Sequence, residues 1–227
     1  MQIIHIISPI LYGSFVYILK KIPPCPDNYF MKLARYHHNI GLSILSLYML
    51  IFITIGNYQT NKFYPINNLL CNSYNHNSFA YKGAELFLWS KYIEWGDTLF
   101  LHLSGKSISM LQYTHHMSTA FLMYMNMFQY LSPHIFVFMA SNCFVHIFMY
   151  WYFAYPQGFL KKYRKLITSS QIVQHIVCLS TIIYTSRLNN CEQNLFGNFF
   201  GFIMYCMYLF YFSLFYFKSY TNKIKSI

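Results

Sequence analysis

Acidic residues are nearly absent from this chain, with five Asp and Glu in 227 positions, and charged residues of both signs make up only 9%. A soluble domain carries about a quarter charged residues, so this shortage removes the ordinary soluble class. Also missing is any polar stretch long enough for a second domain or a soluble appendage. No internal repeat of the kind common in secondary transporters is found. No basic segment precedes the first apolar run, as a cleaved secretory leader would require. The chain lacks a Gly-x-Ser-x-Gly elbow, and no Cys–His arrangement offers a competing nucleophile. Apolar residues are what is plentiful, 56% hydrophobic and 22% aromatic, in long runs broken by short polar connections. That pattern implies an all-α integral membrane protein, read as a single domain over residues 1–227.

Seven transmembrane helices are expected, at about 3–19, 38–57, 79–103, 109–127, 133–155, 166–186 and 198–217. The net charge of +11 invites a nucleic-acid reading, but the basic residues sit in short clusters between spans. A lumenal N-terminus places Lys20, Lys21, Lys32, Arg35, Lys106, Lys161, Lys162, Arg164, Lys165, Lys218, Lys223 and Lys225 on the cytosolic side. Lys62 and Arg187 alone fall opposite. This asymmetry is the positive-inside pattern, so the partner of the positive charge is an anionic leaflet or a phosphate-bearing ligand, with no nucleic acid expected. The same topology puts Cys71 and Cys191 in non-cytosolic loops, where a disulfide is permitted; two free thiols in one compartment is the alternative. Lys223 and Lys225, near a cytosolic C-terminus, match a retrieval signal for the endoplasmic reticulum.

Four polar constellations interrupt the apolar runs. Lys91, Glu94, Asp97 and Thr98 fall at i, i+3, i+6 and i+7, one face of a helix. Gln112, His115 and His116 follow in the next span. Asn142, His146, Met149 and Tyr150 share a face of the fifth, and Thr168, Gln171, Gln174 and His175 repeat at helical spacing in the sixth. By alternation of the spans all four lie toward the cytosolic half, beside the Lys161, Lys162, Arg164 and Lys165 cluster. A lone Gln or Thr in a membrane helix is ordinarily interhelical glue, and His102, His134 and His175 are read as structural. Two carboxylates aligned with three intramembrane histidines call for a functional reading.

Di-iron membrane enzymes such as fatty-acid desaturases need many more histidines, and Gln112 stands where a box histidine would, so no metal is expected. Imidazole can instead attack an activated acyl group, with a neighbouring carboxylate holding the ring.

Lys91-xx-Glu94-xx-Asp97-Thr98, the box ending His115-His116, His146-xx-Met149-Tyr150-x-Tyr152 and Thr168-xx-Gln171-xx-Gln174 occur in the order seen in the ELO family of very-long-chain fatty-acid elongases. His38-Asn39-xx-Leu42 is also similar to that family. The resemblance covers essentially the whole chain. It implies six helices around a closed-ended acyl tunnel and condensation of acyl-CoA with malonyl-CoA to 3-ketoacyl-CoA, CoA and carbon dioxide, with no bound cofactor. It implies His115 as the acylated nucleophile, His116 and His146 handling carbonyl and protons, and Glu94 and Asp97 holding imidazoles with Lys91 balancing their charge. Gln171, Gln174 and Asn142 would line the mouth, and residues 161–165 would meet CoA phosphates. The reductases and dehydratase of the elongation cycle are the implied partners, with a homodimer left open. Two positions depart from the family pattern: Gln112 replaces the first box histidine, and Phe153 replaces an aromatic hydroxyl. Gln keeps hydrogen-bonding capacity but not proton transfer. Acyl transfer to another acceptor, or a seven-span transporter or receptor, are the competing readings.

Overall fold

A computed structural model describes residues 2–26, 28–61, 66–72, 78–127, 131, 133–189 and 191–221. Lys62, Ser132, Lys223 and Lys225, and with the last two the retrieval motif, lie outside the described residues. Among those described, the chain is helical: α1 (Gln2–Ile6), α2 (Ser8–Leu19), α3 (Tyr29–Asn61), α4 (Ile66–Cys71), α5 (Phe79–Ile93), α6 (Trp95–Leu103), α7 (Met110–Met127), α8 (Ile135–Ala154), α9 (Arg164–Ser186) and α10 (Leu195–Tyr216).

Local chemistry sets where these helices begin. Asn28, Ser78, Ser109 and Asn194 each accept a hydrogen bond from the backbone N–H three residues on, at Met31, Tyr81, Gln112 and Gly197. Each bond satisfies one of the donors a helix start leaves open. Within the helices, Ser46, Thr54, Ser118 and Thr181 return their hydroxyls to the carbonyl four residues back. No polar hydrogen is then presented to lipid by these side chains.

Helices occupy each of the seven stretches read as spans, with three differences of extent. The second reaches from Tyr29 to Asn61 rather than 38–57; its polar ends escape a hydropathy reading but continue the helix from the Asn28 cap. The first is interrupted at Ile7, just before Pro9. The third divides at Glu94, where Asp97 N–H bonds the Glu94 carbonyl three residues back, a tightened turn beside Gly96. Among the described residues, four helices are long and apolar enough to cross a membrane unaided: Tyr29–Gln59, Ile135–Ala154, Phe159–Ser186 and Leu195–Thr221. α7 carries Gln112, His115, His116, Ser118 and Asn126, and that polarity is why its apolar character falls short.

Neighbour contacts run α3–α5–α7–α10–α9–α8 and back to α3, closing a ring, with α2 packed outside against α7. One end of the ring is basic. There Arg35 donates to Ser104 Oγ at 2.9 Å and Tyr36 pairs with Tyr155. At the other end Cys71 and Cys191 form a disulfide across 120 residues of sequence. Phe, Tyr and Ile side chains such as Phe199, Phe210 and Ile44 cover the outside, as lipid requires.

Candidate active site

A cavity of about 870 Å³ opens within the basic end, lined from α3, the α5–α6 junction, α7, α8, α9 and α10. It holds members of all four polar constellations: Glu94, Asp97, Gln112, His115, His116, Asn142, His146, Met149, Tyr150, Thr168, Gln171, Gln174 and His175. A far smaller chamber of about 40 Å³ adjoins it, with His115, Asn142, Gln174 and His175 shared between the two walls. Lys91 lines the chamber side.

Two hydrogen-bonded arrays surround the histidine pair. In the first, the Lys91 ammonium lies 2.7 Å from Glu94 Oε1, 2.9 Å from Asn142 Oδ1 and 4.0 Å above the Phe87 ring. Because Asn142 Oδ1 accepts from Lys91, its Nδ2 must be the atom facing His146 Nε2 at 3.1 Å. His146 Nε2 is therefore the acceptor, and its ring proton sits on Nδ1, 3.7 Å from Glu94 Oε1. In the second array, Asp97 Oδ1 meets His38 Nε2 at 2.9 Å, and Asp97 Oδ2 accepts from Tyr150 Oη at 2.7 Å. His116 Nε2 stands 3.8 Å from the same Oδ2.

The acidic face thus splits across the tightened turn, with Glu94 serving α8 and Asp97 reaching α3. The imidazole that Asp97 meets at hydrogen-bond distance is His38, while His116 and His146 stand 3.8 and 3.7 Å from the carboxylate oxygens of Asp97 and Glu94. Sequence reasoning assigned His38 no role, and its sole signal was the His38-Asn39 pair.

His115 and His116 have perpendicular rings with centroids 5.4 Å apart. Tyr208 and Phe212 of α10 box in His115 at 5.0 and 6.2 Å, with the Tyr208 hydroxyl fixed 2.6 Å from Ser118 Oγ. His175, read as structural, packs on the same two rings and belongs to the cavity wall. Trp95 Nε1 donates to the His116 carbonyl at 3.2 Å. Gln112 Nε2 donates to Thr98 Oγ1 at 3.2 Å, and that hydroxyl also meets Tyr12 Oη at 2.7 Å. Gln171 Nε2 lies 3.3 Å from Met149 Sδ. Glu94 Oε2, His115 Nδ1 and His116 Nδ1 are buried without a hydrogen-bond partner among the described residues. Buried polar atoms are ordinarily paired, so these three have capacity left for a reacting group.

Glu94, His115 and His146 offer ligand atoms within 4.8 Å of one another. A cation there would stand beside the Lys91 ammonium, which already engages Glu94 Oε1, so the set is better matched to an ion pair than to a metal.

The basic cluster at 161–165 is only partly turned inward. A 3-10 turn at Phe159–Tyr163 precedes α9. Lys161 bonds Gln157 Oε1 at 2.6 Å, Lys162 lies over Tyr163, and Lys165 over Tyr216. Arg164 is the member that lines the cavity, together with Arg35, Lys106 and Lys218 from other elements. The change from 3-10 to α geometry sets that phase, and sequence spacing does not reveal it.

A model of the ELO family, described as the GNS1/SUR4 family, matches residues 2–226. The chain is 34% identical over 147 residues to fatty acid elongase A of Dictyostelium discoideum, covering 63% of this chain and 53% of that protein. It is 32% identical over 155 residues to fatty acid elongase 2 of Trypanosoma cruzi, 63% of this chain and 55% of the relative. Very long chain fatty acid elongase 6 of Rattus norvegicus is 26% identical over 210 residues, 86% of this chain and 78% of its own length. The chain spans about half the length of the first two of these relatives. With its motifs gathered around one cavity and the family model matched from end to end, the chain belongs to the ELO family.

Proposed function

We propose that this protein is the condensing enzyme of fatty-acid elongation, a multi-pass protein of the endoplasmic reticulum membrane with a lumenal N-terminus and seven passes. The observation that carries the reading is the position of His115, at the boundary between the large basic-rimmed cavity and the narrow chamber beyond it. An acyl-CoA entering from the basic end would set its CoA among Arg35, Lys106, Arg164 and Lys218 and its thioester at the histidines. Its acyl chain would continue inward as in a tunnel. Guanidinium and ammonium groups suit phosphates.

In this reading His115 attacks the thioester and forms an acyl-imidazole. Decarboxylating malonyl-CoA then supplies the enolate that takes the acyl group. His146, with its proton set on Nδ1, and His116 serve the developing oxyanion and the proton traffic. Acyl transfer to another acceptor would use the same first step, and malonyl-CoA dependence separates the two.

The test is formation of 3-ketoacyl-CoA by purified protein given a panel of acyl-CoAs, with and without malonyl-CoA, beside His115→Ala. A malonyl-dependent product two carbons longer, absent in the variant, supports the reading. Product of unchanged yield in a folded His115→Ala protein overturns the assignment of the nucleophile, and transfer without malonyl-CoA overturns the condensation.

A further inference from the structure

The condensation does not balance without a proton. When His115 attacks the acyl-CoA carbonyl, a C–N bond forms and the C–S bond breaks. The proton shed by the acylated ring neutralises the departing thiolate, so CoA leaves as the thiol and nothing is owed. In the second half the bond between malonyl carbon and carboxylate breaks, carbon dioxide departs, and the electron pair becomes a thioester enolate. The enolate carbon bonds the acyl carbonyl, the C–N bond breaks, and its pair returns to the imidazole as an imidazolate. That ring needs one proton. Each turnover therefore draws one from outside, and the source must reach a site walled by six helices.

A line of groups among the described residues is suited to the task. His38 Nε2 lies 2.9 Å from Asp97 Oδ1. The other oxygen of that carboxylate faces His116 Nε2 at 3.8 Å, a side-chain rotation short of a hydrogen bond, and His116 adjoins His115. His38 and Asp97 keep 14% and 12% of their side-chain surface exposed, whereas His116 keeps 6%. All three side chains line the same cavity, and His38 and Asp97 are its more exposed members. The geometry is also built for the outer ring: a Cβ on Gly96 would lie 2.6 Å from His38 Cε1, so the glycine lets the imidazole seat against α6. Charged and titratable groups that line the same cavity are Arg35 on its own helix, Glu94 at the α5–α6 junction, Lys106 after α6, His115 and His116 on α7, His146, Tyr150 and Tyr152 on α8, Arg164 and His175 on α9, and Lys218 and Tyr220 after α10. Tyr150 donates to Asp97 Oδ2 and holds the carboxylate in its bridging orientation.

We propose that His38 is the positioning residue through which the proton consumed by condensation enters, passing by way of Asp97 to the histidine pair of α7. The inference rests on the condensing reading above. His38 takes a proton from cavity water and gives it to Asp97, which restores His116 after His116 has protonated the His115 imidazolate.

The experiment separates the two half-reactions in the full chain in detergent micelles. Acyl-CoA alone is mixed with enzyme and the burst of free CoA is timed; malonyl-CoA is then added and 3-ketoacyl-CoA is timed. His38→Gln keeps a hydrogen-bonding group toward Asp97 but cannot relay a proton. The expected result is a CoA burst within about twofold of wild type and a condensing step slowed about 100-fold, more severely at alkaline pH and partly restored by added imidazole. Gly96→Ala, which displaces the ring without removing it, should slow the same half-reaction to a lesser degree. An unchanged condensing step in His38→Gln overturns the proposal, as does equal slowing of both halves without imidazole rescue, which marks a structural role. Absence of malonyl-dependent product from the wild type would instead overturn the condensing reading, and this inference with it.

Discussion

Lys91 on α5 reaches Asn142 on α8, its Nζ 2.9 Å from the amide Oδ1. Through that contact Lys91 decides which of the His146 ring nitrogens carries the proton. The amide has one donor side and one acceptor side, and the ammonium claims the acceptor.

Replacing Asn142 by Leu should therefore lower kcat about 10- to 100-fold with little change in KM, as loss of an orienting partner does elsewhere. The measurement is steady-state kinetics over a range of malonyl-CoA concentrations. A variant with full kcat would show that His146 needs no orientation from α8.

The Lys91–Glu94 pair is buried, with side chains 3% and 2% exposed. Removing one partner of such a pair strands a charge and costs about 3–5 kcal/mol. Lys91→Met should accordingly lower the midpoint of thermal unfolding, and the double change Lys91→Met with Glu94→Leu should recover most of the stability and none of the activity.

Arg164 and Lys161 are neighbours in sequence but differ in facing. Arg164→Ala should raise KM for acyl-CoA about tenfold, the equivalent of ~1.4 kcal/mol, because the variant would lack the charge-assisted phosphate contact proposed for this side chain. Lys161→Ala, whose ammonium is turned to Gln157, should leave KM within about twofold. Equal effects from the two would indicate a diffuse charge requirement rather than four placed contacts.

Gln112 donates to Thr98 Oγ1 at 3.2 Å, a tie between α7 and α6. Gln112→Ala should cost about 1 kcal/mol of stability and reduce kcat less than tenfold. A loss comparable to that of His115→Ala would place the amide in the chemistry itself.

Cys71→Ser should lower stability by about 2–5 kcal/mol, since the native bridge closes 120 residues of chain. Unfolding with and without reductant is the check, and in the variant the two curves should coincide.

The helical architecture was legible because apolar runs report themselves: each span is long, and the connections are short and polar. Extent was less so. Residues Tyr29–Arg35 continue α3 on the strength of a cap at Asn28, which hydropathy does not register. The tightened turn at Glu94 was hidden for a different reason, since the polar spacing carries on across it unbroken. Within the site, residues on a single helix were readable from their periodicity, and Asn142, His146 and Tyr150 do face one cavity. The His38–Asp97 pair was not readable, because its members are 59 residues apart and spacing says nothing of partners on different helices. His175 shows the converse limit: periodicity placed it with Gln171 and Gln174, but only its tilted ring contacts with Tyr208 and Phe212 reveal that it shares a wall with His115.

The Cys71–Cys191 bridge fastens α4 to the segment entering α10, while the basic end has no covalent tie among the described residues, Cys25 being a free thiol there. Helices clamped at one end splay most at the other, as tines do. Any opening that lets a bulky head group through is therefore cheapest where the phosphates would bind, and the far end keeps its dimensions while this happens. In the proposed reading the entrance lies at the end opposite the Cys71–Cys191 bridge, and the bridge would let that entrance move without changing the far end.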